Sequence, residues 1–148
     1  MTLISKTVLL ENKDAIVSIR PIGYGGAFAT HEGHSSFLVS DKVSKKNLLI
    51  DCGSLVYRRL REIYLSDQID AVYITHTHED HIGSLSSLIY ENFFVHGRKI
   101  SIFCHNNVRH KLTEYLINVC NHEYEQFDMP HYREEVLENL FPSFSLSD

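Results

Sequence analysis

The feature that most constrains this chain is a short apolar run that ends in histidines. Ala71-Val72-Tyr73-Ile74 leads directly into Thr75-His76-Thr77-His78-Glu79-Asp80-His81-Ile82-Gly83. Its β-branched and aromatic residues read as a strand, and the polar stretch after it as the strand's exit. Three imidazoles and a carboxylate then fall within six residues. Histidine supplies 10 of 148 residues, so such a cluster arises by chance on the order of a few times in a thousand chains. The segment is therefore read as a built site. A solvated polar loop is the competing reading, and loops seldom concentrate histidine.

Spacing says how these groups can act. On an extended backbone, residues two apart point the same way, so His76 and His78 can grip one ion. A turn after His78 lets Asp80 and His81 face a second ion beside the first. Imidazole nitrogen with carboxylate oxygen suits zinc, and manganese, iron and nickel compete for the same donors. Glu79 points away from both pairs and reads as a surface residue. Two ions about 3.5–4 Å apart can stabilise an in-line displacement at phosphorus. A carboxylate among the ligands, here Asp80, can also handle a proton.

Elsewhere, short β-branched runs predict strands over Thr7 to Leu10, Ala15 to Ile22, Ser36 to Ser40, Leu48 to Asp51, Ala71 to Thr75 and Lys99 to Cys104. Glu11 to Asp14 reads as a hairpin turn. Leu55, Val56, Leu60, Ile63 and Tyr64 fall on one helical stripe, with Ser54 as its N-cap. A second helix follows Gly83 with Leu85, Leu88, Ile89 and Phe93 inward. A third spans Asn106 to Cys120 through Val108, Leu112, Tyr115, Leu116 and Val119. Pro130 opens a fourth that Pro142 stops. Strands that come first and then alternate with helices predict an α/β layered domain with a mixed sheet and flanking helices.

Residues 1–148 suit one domain. The net charge of −5 gives no general attraction to nucleic acid. Two divalent cations would add about four positive charges locally, so a nucleotide or RNA substrate stays compatible with that balance. Cys52, Cys104 and Cys120 are odd in number and flanked by apolar residues, which predicts buried thiols. No run of some 18 apolar residues occurs and the N-terminus lacks a signal-peptide pattern, so a cytoplasmic, reducing compartment and no membrane span are expected.

The segment from His76 to His81 resembles the His-x-His-x-Asp-His signature of the metallo-β-lactamase superfamily. Leu48-Leu49-Ile50-Asp51-Cys52-Gly53 is similar to the superfamily's strand ending in Asp-x-Gly. Ile22-Gly23-Tyr24-Gly25-Gly26-Ala27-Phe28-Ala29-Thr30, followed by Ser35-Ser36-Phe37-Leu38-Val39, resembles the opening of its tRNase Z-like phosphodiesterase branch, which includes enzymes that open cyclic nucleotides. The resemblance covers roughly residues 16 to 105. It implies the N-terminal portion of an αββα sandwich. It also implies His76 and His78 as ligands of a first zinc, and Asp80 and His81 as ligands of a second. Asp80 would double as the proton-handling carboxylate, and Asp51 would orient a ligand by hydrogen bonding. From the residues alone, a helix-capping role for Asp51 is equally open. The implied activity is hydrolysis of an RNA or nucleotide phosphodiester by a metal-activated hydroxide; lactam or thioester hydrolysis uses the same signature.

The chain also departs from the pattern. Members of the superfamily join two similar αβ halves, and the second half supplies a third histidine, a bridging aspartate and a last histidine. Here 67 residues follow His81, with no clear match to those motifs. The expectation is a domain incomplete at its C-terminus. Its sheet face would invite self-association or a complementing second half. A catalytically incomplete metal-binding or interaction module is the alternative. His105, ending the run Ile100 to Cys104, is the best local candidate for a further ligand. His31 and His34 share a polar loop and read as surface histidines. Gly23, Gly25 and Gly26 make a turn, but not a dinucleotide fingerprint, because Phe28 stands where its last glycine belongs.

Overall fold

The computed structural model of the protein describes residues 15–29 and 31–120. The expected strand from Thr7, the turn after it and the helix from Pro130 lie outside them. Five strands form one mixed sheet in the order of the chain. β1 (Val17–Gly23), β2 (Ser36–Asp41) and β3 (Lys46–Ile50) pair antiparallel, and β4 (Ala71–Ile74) and β5 (Ser101–Cys104) add in parallel. The change of direction follows from the connections. Residues 42–45 turn tightly, with Asp41 Oδ1 accepting the amides of Val43 at 2.8 Å and Ser44 at 3.3 Å. Parallel strands need a crossover instead. α1 (Val56–Glu62) lies between β3 and β4; α2 (Glu79–Ile82), α3 (Leu85–Tyr90) and one π-helical turn (Glu91–Val95) lie between β4 and β5. α4 (Asn106–Cys120) follows.

Strand alternation sorts the core onto two faces. Leu38, Leu49, Val72, Ile74, Ile102 and Cys104 meet the helical residues Val56, Leu60, Leu85, Leu88, Ile89, Leu112 and Leu116. Val39, Leu48, Ala71 and Phe103 cluster on the other face, with Val17, Ile50 and Tyr73 packed against them. The α/β class and mixed sheet match the expectation. No helix among the described residues is long and apolar enough to cross a membrane.

Three local expectations change. Ser54 does not cap α1: the helix starts at Val56 with Leu55 at its N-cap and no side-chain cap, while Ser54 Oγ donates to Glu79 Oε1 at 2.8 Å. The stripe through Ile63 and Tyr64 fails because α1 ends at Glu62 and Tyr64 turns left-handed (φ 57°), which leaves both side chains exposed. After α3, the wider π turn rotates later positions off the 3.6-residue period. Phe93 is consequently only half-buried, and fully buried Asn92 faces the core, donating Nδ2 to the carbonyls of Ser66 and Leu88. α4 has the expected bounds with Leu112 and Leu116 inward, but Val119 is exposed.

The altered stripe can be checked by substitution. Leu60→Ala, at a fully buried position, should cost about 2–5 kcal/mol in urea unfolding. Ile63→Ala should cost less than about 1 kcal/mol. Equal losses would restore the longer stripe.

Candidate functional site

The site forms where the chain leaves the carboxyl ends of β3 and β4. The amide of Asp51 extends the parallel ladder by donating to the Tyr73 carbonyl at 2.9 Å. The Asp51 backbone then turns left-handed at φ 60°, a region in which aspartate is enriched among non-glycine residues. Asp51 is buried, and its carboxylate accepts three hydrogen bonds. Oδ1 takes the amide of Thr75 at 2.8 Å; Oδ2 takes the Thr75 hydroxyl at 2.7 Å and meets His81 Nδ1 at 2.7 Å. A carboxylate only accepts, so His81 carries its proton on Nδ1. The carboxylate of Asp51 therefore serves Thr75 and His81, while α1 begins at Val56 without a side-chain cap.

β4 stops at Ile74, so the histidines lie beyond the strand rather than on it. Residues 75–78 nevertheless stay open, and His78 is extended (φ −74°, ψ 153°) before its carbonyl accepts the amides of His81 and Ile82 to begin α2. The ring of His76 lies 4.7 Å from that of His78, edge to face, and 3.8 Å from that of His81. Thus His76 is shared between the other two imidazoles, and the rings form one group rather than two separate pairs. Asp80 sits in the first turn of α2 with Oδ2 3.4 Å from His81 Nε2. Glu79 is exposed at the surface, as expected, and bonded to Ser54.

Nitrogen and carboxylate donors of this kind suit zinc. Among the described residues, however, no three His, Cys, Asp or Glu side chains are arranged to hold an ion. The donor set fits such a group in kind, and side-chain rotation within 75–81 would have to bring it to bear. His105 stays apart from the cluster: it is exposed, and its Nδ1 and carbonyl accept the amides of Asn107 and Val108 at the start of α4.

Three residues to which the sequence assigns no part in the site complete the setting. Thr75 bonds Asp51 twice and lies 3.0 Å from His76 Nδ1. Ser84 is buried, donates to the Gly53 carbonyl at 2.6 Å and accepts the Tyr57 amide at 3.1 Å, which ties α1 to the turn before α3. His34, read as a surface residue, is buried, with no partner for Nδ1. A ligand-like segment announces itself by its spacing, whereas these three acquire their roles through contacts made across the fold.

Gly53 explains the Asp-x-Gly spacing. A Cβ there would lie 1.9 Å from the Asp80 carbonyl oxygen and 2.8 Å from His34 Cβ. Only a glycine lets the strand exit pass directly under the histidine segment, where Cys52 donates its amide to the His81 carbonyl at 2.7 Å. Gly53→Ala should therefore cost about 1–3 kcal/mol and broaden the amide resonances of residues 78–81; a neutral effect on both would mean the two segments are not packed. Between them, the Cys52 thiol is pushed up to about 12 by burial, against a Ser84 hydrogen bond that lowers it, with the charge of Asp51 raising it further. The folded protein thus keeps the proton that the unfolded chain loses near 9.0, so stability should fall as pH rises from about 9 towards 12. At pH 8 a thiol reagent should label Cys52 only after denaturation; rapid labelling of the native protein would contradict this burial.

The family model described as anti-Pycsar protein Apyc1 matches residues 17–143. A protein of that name from Bacillus phage BSP38 is 40% identical over 98 residues, which are 65% of this chain and 38% of that protein. The chain spans 32% to 38% of the length of such relatives from three Bacillus phages. Among solved structures, the metallo-β-lactamase fold protein YhfI from Bacillus subtilis superposes with a TM-score of 0.57 at 29% identity, covering 68% of this chain and 41% of that one. Human tRNase Z, short form, superposes with a TM-score of 0.55 at 21% identity, covering 76% and 40%. The fold is that of the metallo-β-lactamases, and within it the chain belongs to the anti-Pycsar protein Apyc1 family.

Proposed function

We propose that this chain carries the metal-binding part of a nucleotide phosphodiesterase site, with His76, His78, Asp80 and His81 as ligands for two zinc ions. The observation that supports it most is the packing of three imidazoles at the exit of β4, one of them held by a buried carboxylate. When bound, the ions would supply Lewis acidity towards a phosphoryl oxygen and lower the pKa of a water. Manganese or iron would suit the same donors.

The chain's own residues would divide the remaining work. Asp51 fixes the ring of His81 through Nδ1, which sets its Nε2 towards Asp80 Oδ2 at 3.4 Å. The Asp80 carboxylate, within reach of that nitrogen, can accept a proton from a group entering the cluster. The turn at Gly53 keeps β3, α1 and α2 close enough for these groups to meet. The glycine-loop resemblance to tRNase Z-like enzymes favours a phosphodiester over a lactam or thioester, and a cyclic nucleotide is the substrate class we favour within it. The family's name describes action against Pycsar, which agrees with an enzyme that removes a small nucleotide.

A second reading has its own support. No group of three ligands among the described residues is poised for a metal, and a binding or interaction module suits that arrangement as well. Four donors split over two ions leave two each, too few for tight zinc. The 148-residue chain alone should bind fewer than two equivalents of zinc, weakly, and hydrolyse a chromogenic phosphodiester slowly. Two tightly held ions and brisk turnover from a monomer would overturn that incompleteness. In any hydrolytically active form, Asp80→Asn should lower turnover by about 10²–10⁴-fold with little change in the urea midpoint. Unchanged turnover would remove Asp80 from the chemistry.

A further inference from the structure

We propose that Thr75 is a positioning residue that carries the influence of the Asp51 carboxylate on to His76, so that one carboxylate sets the proton position of two imidazoles. The inference deepens the ligand reading above and rests on it for its purpose. The geometry is an ordered chain: Asp51 Oδ2, Thr75 Oγ1 at 2.7 Å, and His76 Nδ1 at 3.0 Å.

The direction of each bond follows from counting protons. A threonine hydroxyl has one proton to give and lone pairs to accept with. Towards an ionised carboxylate it can only donate, and that spends its proton. Towards His76 it can then only accept, so Nδ1 of His76 must carry the hydrogen. His81 reaches the same state directly, because its Nδ1 meets the same Oδ2 at 2.7 Å. His76 is thereby left with a bare Nε2, the form in which an imidazole can donate to a metal, while His81, with its Nδ1 proton fixed in the same way, has its Nε2 3.4 Å from Asp80 Oδ2. The packing of the two rings at 3.8 Å shows that the nitrogens set this way belong to one cluster.

Thr75 is suited to this by its place in the chain. Its amide binds Oδ1 of the same carboxylate, so the residue is held at two points while the hydroxyl is aimed. Valine would keep the shape and the amide bond but lose the relay. Serine would keep the relay.

The test uses the ¹⁵N-labelled 148-residue chain without metal, at a pH where imidazole is neutral. Long-range proton–nitrogen correlation then reports which ring nitrogen is protonated. His76 should carry its proton on Nδ1 in the wild type and in Thr75→Ser, and shift towards Nε2–H in Thr75→Val. His81 should stay Nδ1–H in all three, which also reports that the fold and Asp51 are intact. An Nε2–H form of His76 in the wild type overturns the proposal even should Thr75→Val fail to fold. So does an unchanged His76 in Thr75→Val. A competition titration with zinc should show affinity about 10- to 100-fold weaker for Thr75→Val, with Thr75→Ser close to wild type. A shifted proton with equal zinc affinity would overturn the positioning role. Expected proton positions with no zinc bound by any variant would leave the relay standing and remove the ligand reading instead.

Discussion

The buried carboxylate of Asp51 is the interaction on which the site depends. A charge withdrawn from water must be met by donors, and losing one partner of such a group costs far more than a surface pair does. Here the donors come from two places: the amide and hydroxyl of Thr75 at the exit of β4, and the ring of His81 in α2. Satisfying the charge therefore fixes where β4 ends relative to β3 and how α2 turns. The left-handed backbone at Asp51 makes this possible, since it turns the chain away from the ladder immediately after its last bond to Tyr73.

The rest of the neighbourhood reinforces that arrangement. Gly53 permits backbone contact with the segment of Asp80, the amide of Cys52 meets the carbonyl of His81, and the hydroxyl of Ser84 joins the carbonyl of Gly53 to the amide of Tyr57. Backbone and short polar side chains do nearly all of this work, so the histidine segment is seated on rigid elements. Its position at the carboxyl ends of parallel strands is where open α/β sheets commonly bind ligands.

Much of this was legible in the residues because it is periodic or local. The strands β2 to β5 are dense in β-branched and apolar residues, and the stretch from Asn106 to Cys120 keeps a helical stripe that the helix obeys. The histidine cluster stood out through composition alone. What was not legible depended on contacts distant in sequence. Ile63 and Tyr64 continue the α1 stripe on paper, but the helix stops before them. Thr75 and Ser84 are ordinary polar residues until Asp51 and Gly53 are brought beside them. His34 sits in a polar loop, yet packs its backbone against Gly23, where a Cβ would lie 2.1 Å from the His34 carbonyl oxygen. Sequence pattern predicts which face a residue takes within an element; it does not predict which elements will enclose a loop.

The polar contacts described around Asp51 have one further consequence, for the order of assembly. They join residues no earlier than Ser36, whose hydroxyl donates to the Asp51 carbonyl, and no later than Ser84. The intervening loops are a few tens of residues long, and the entropy of closing such loops grows only slowly with length. The seat beneath the histidines can thus close before β5 and α4 are added, and those later elements would dock onto a corner that already exists.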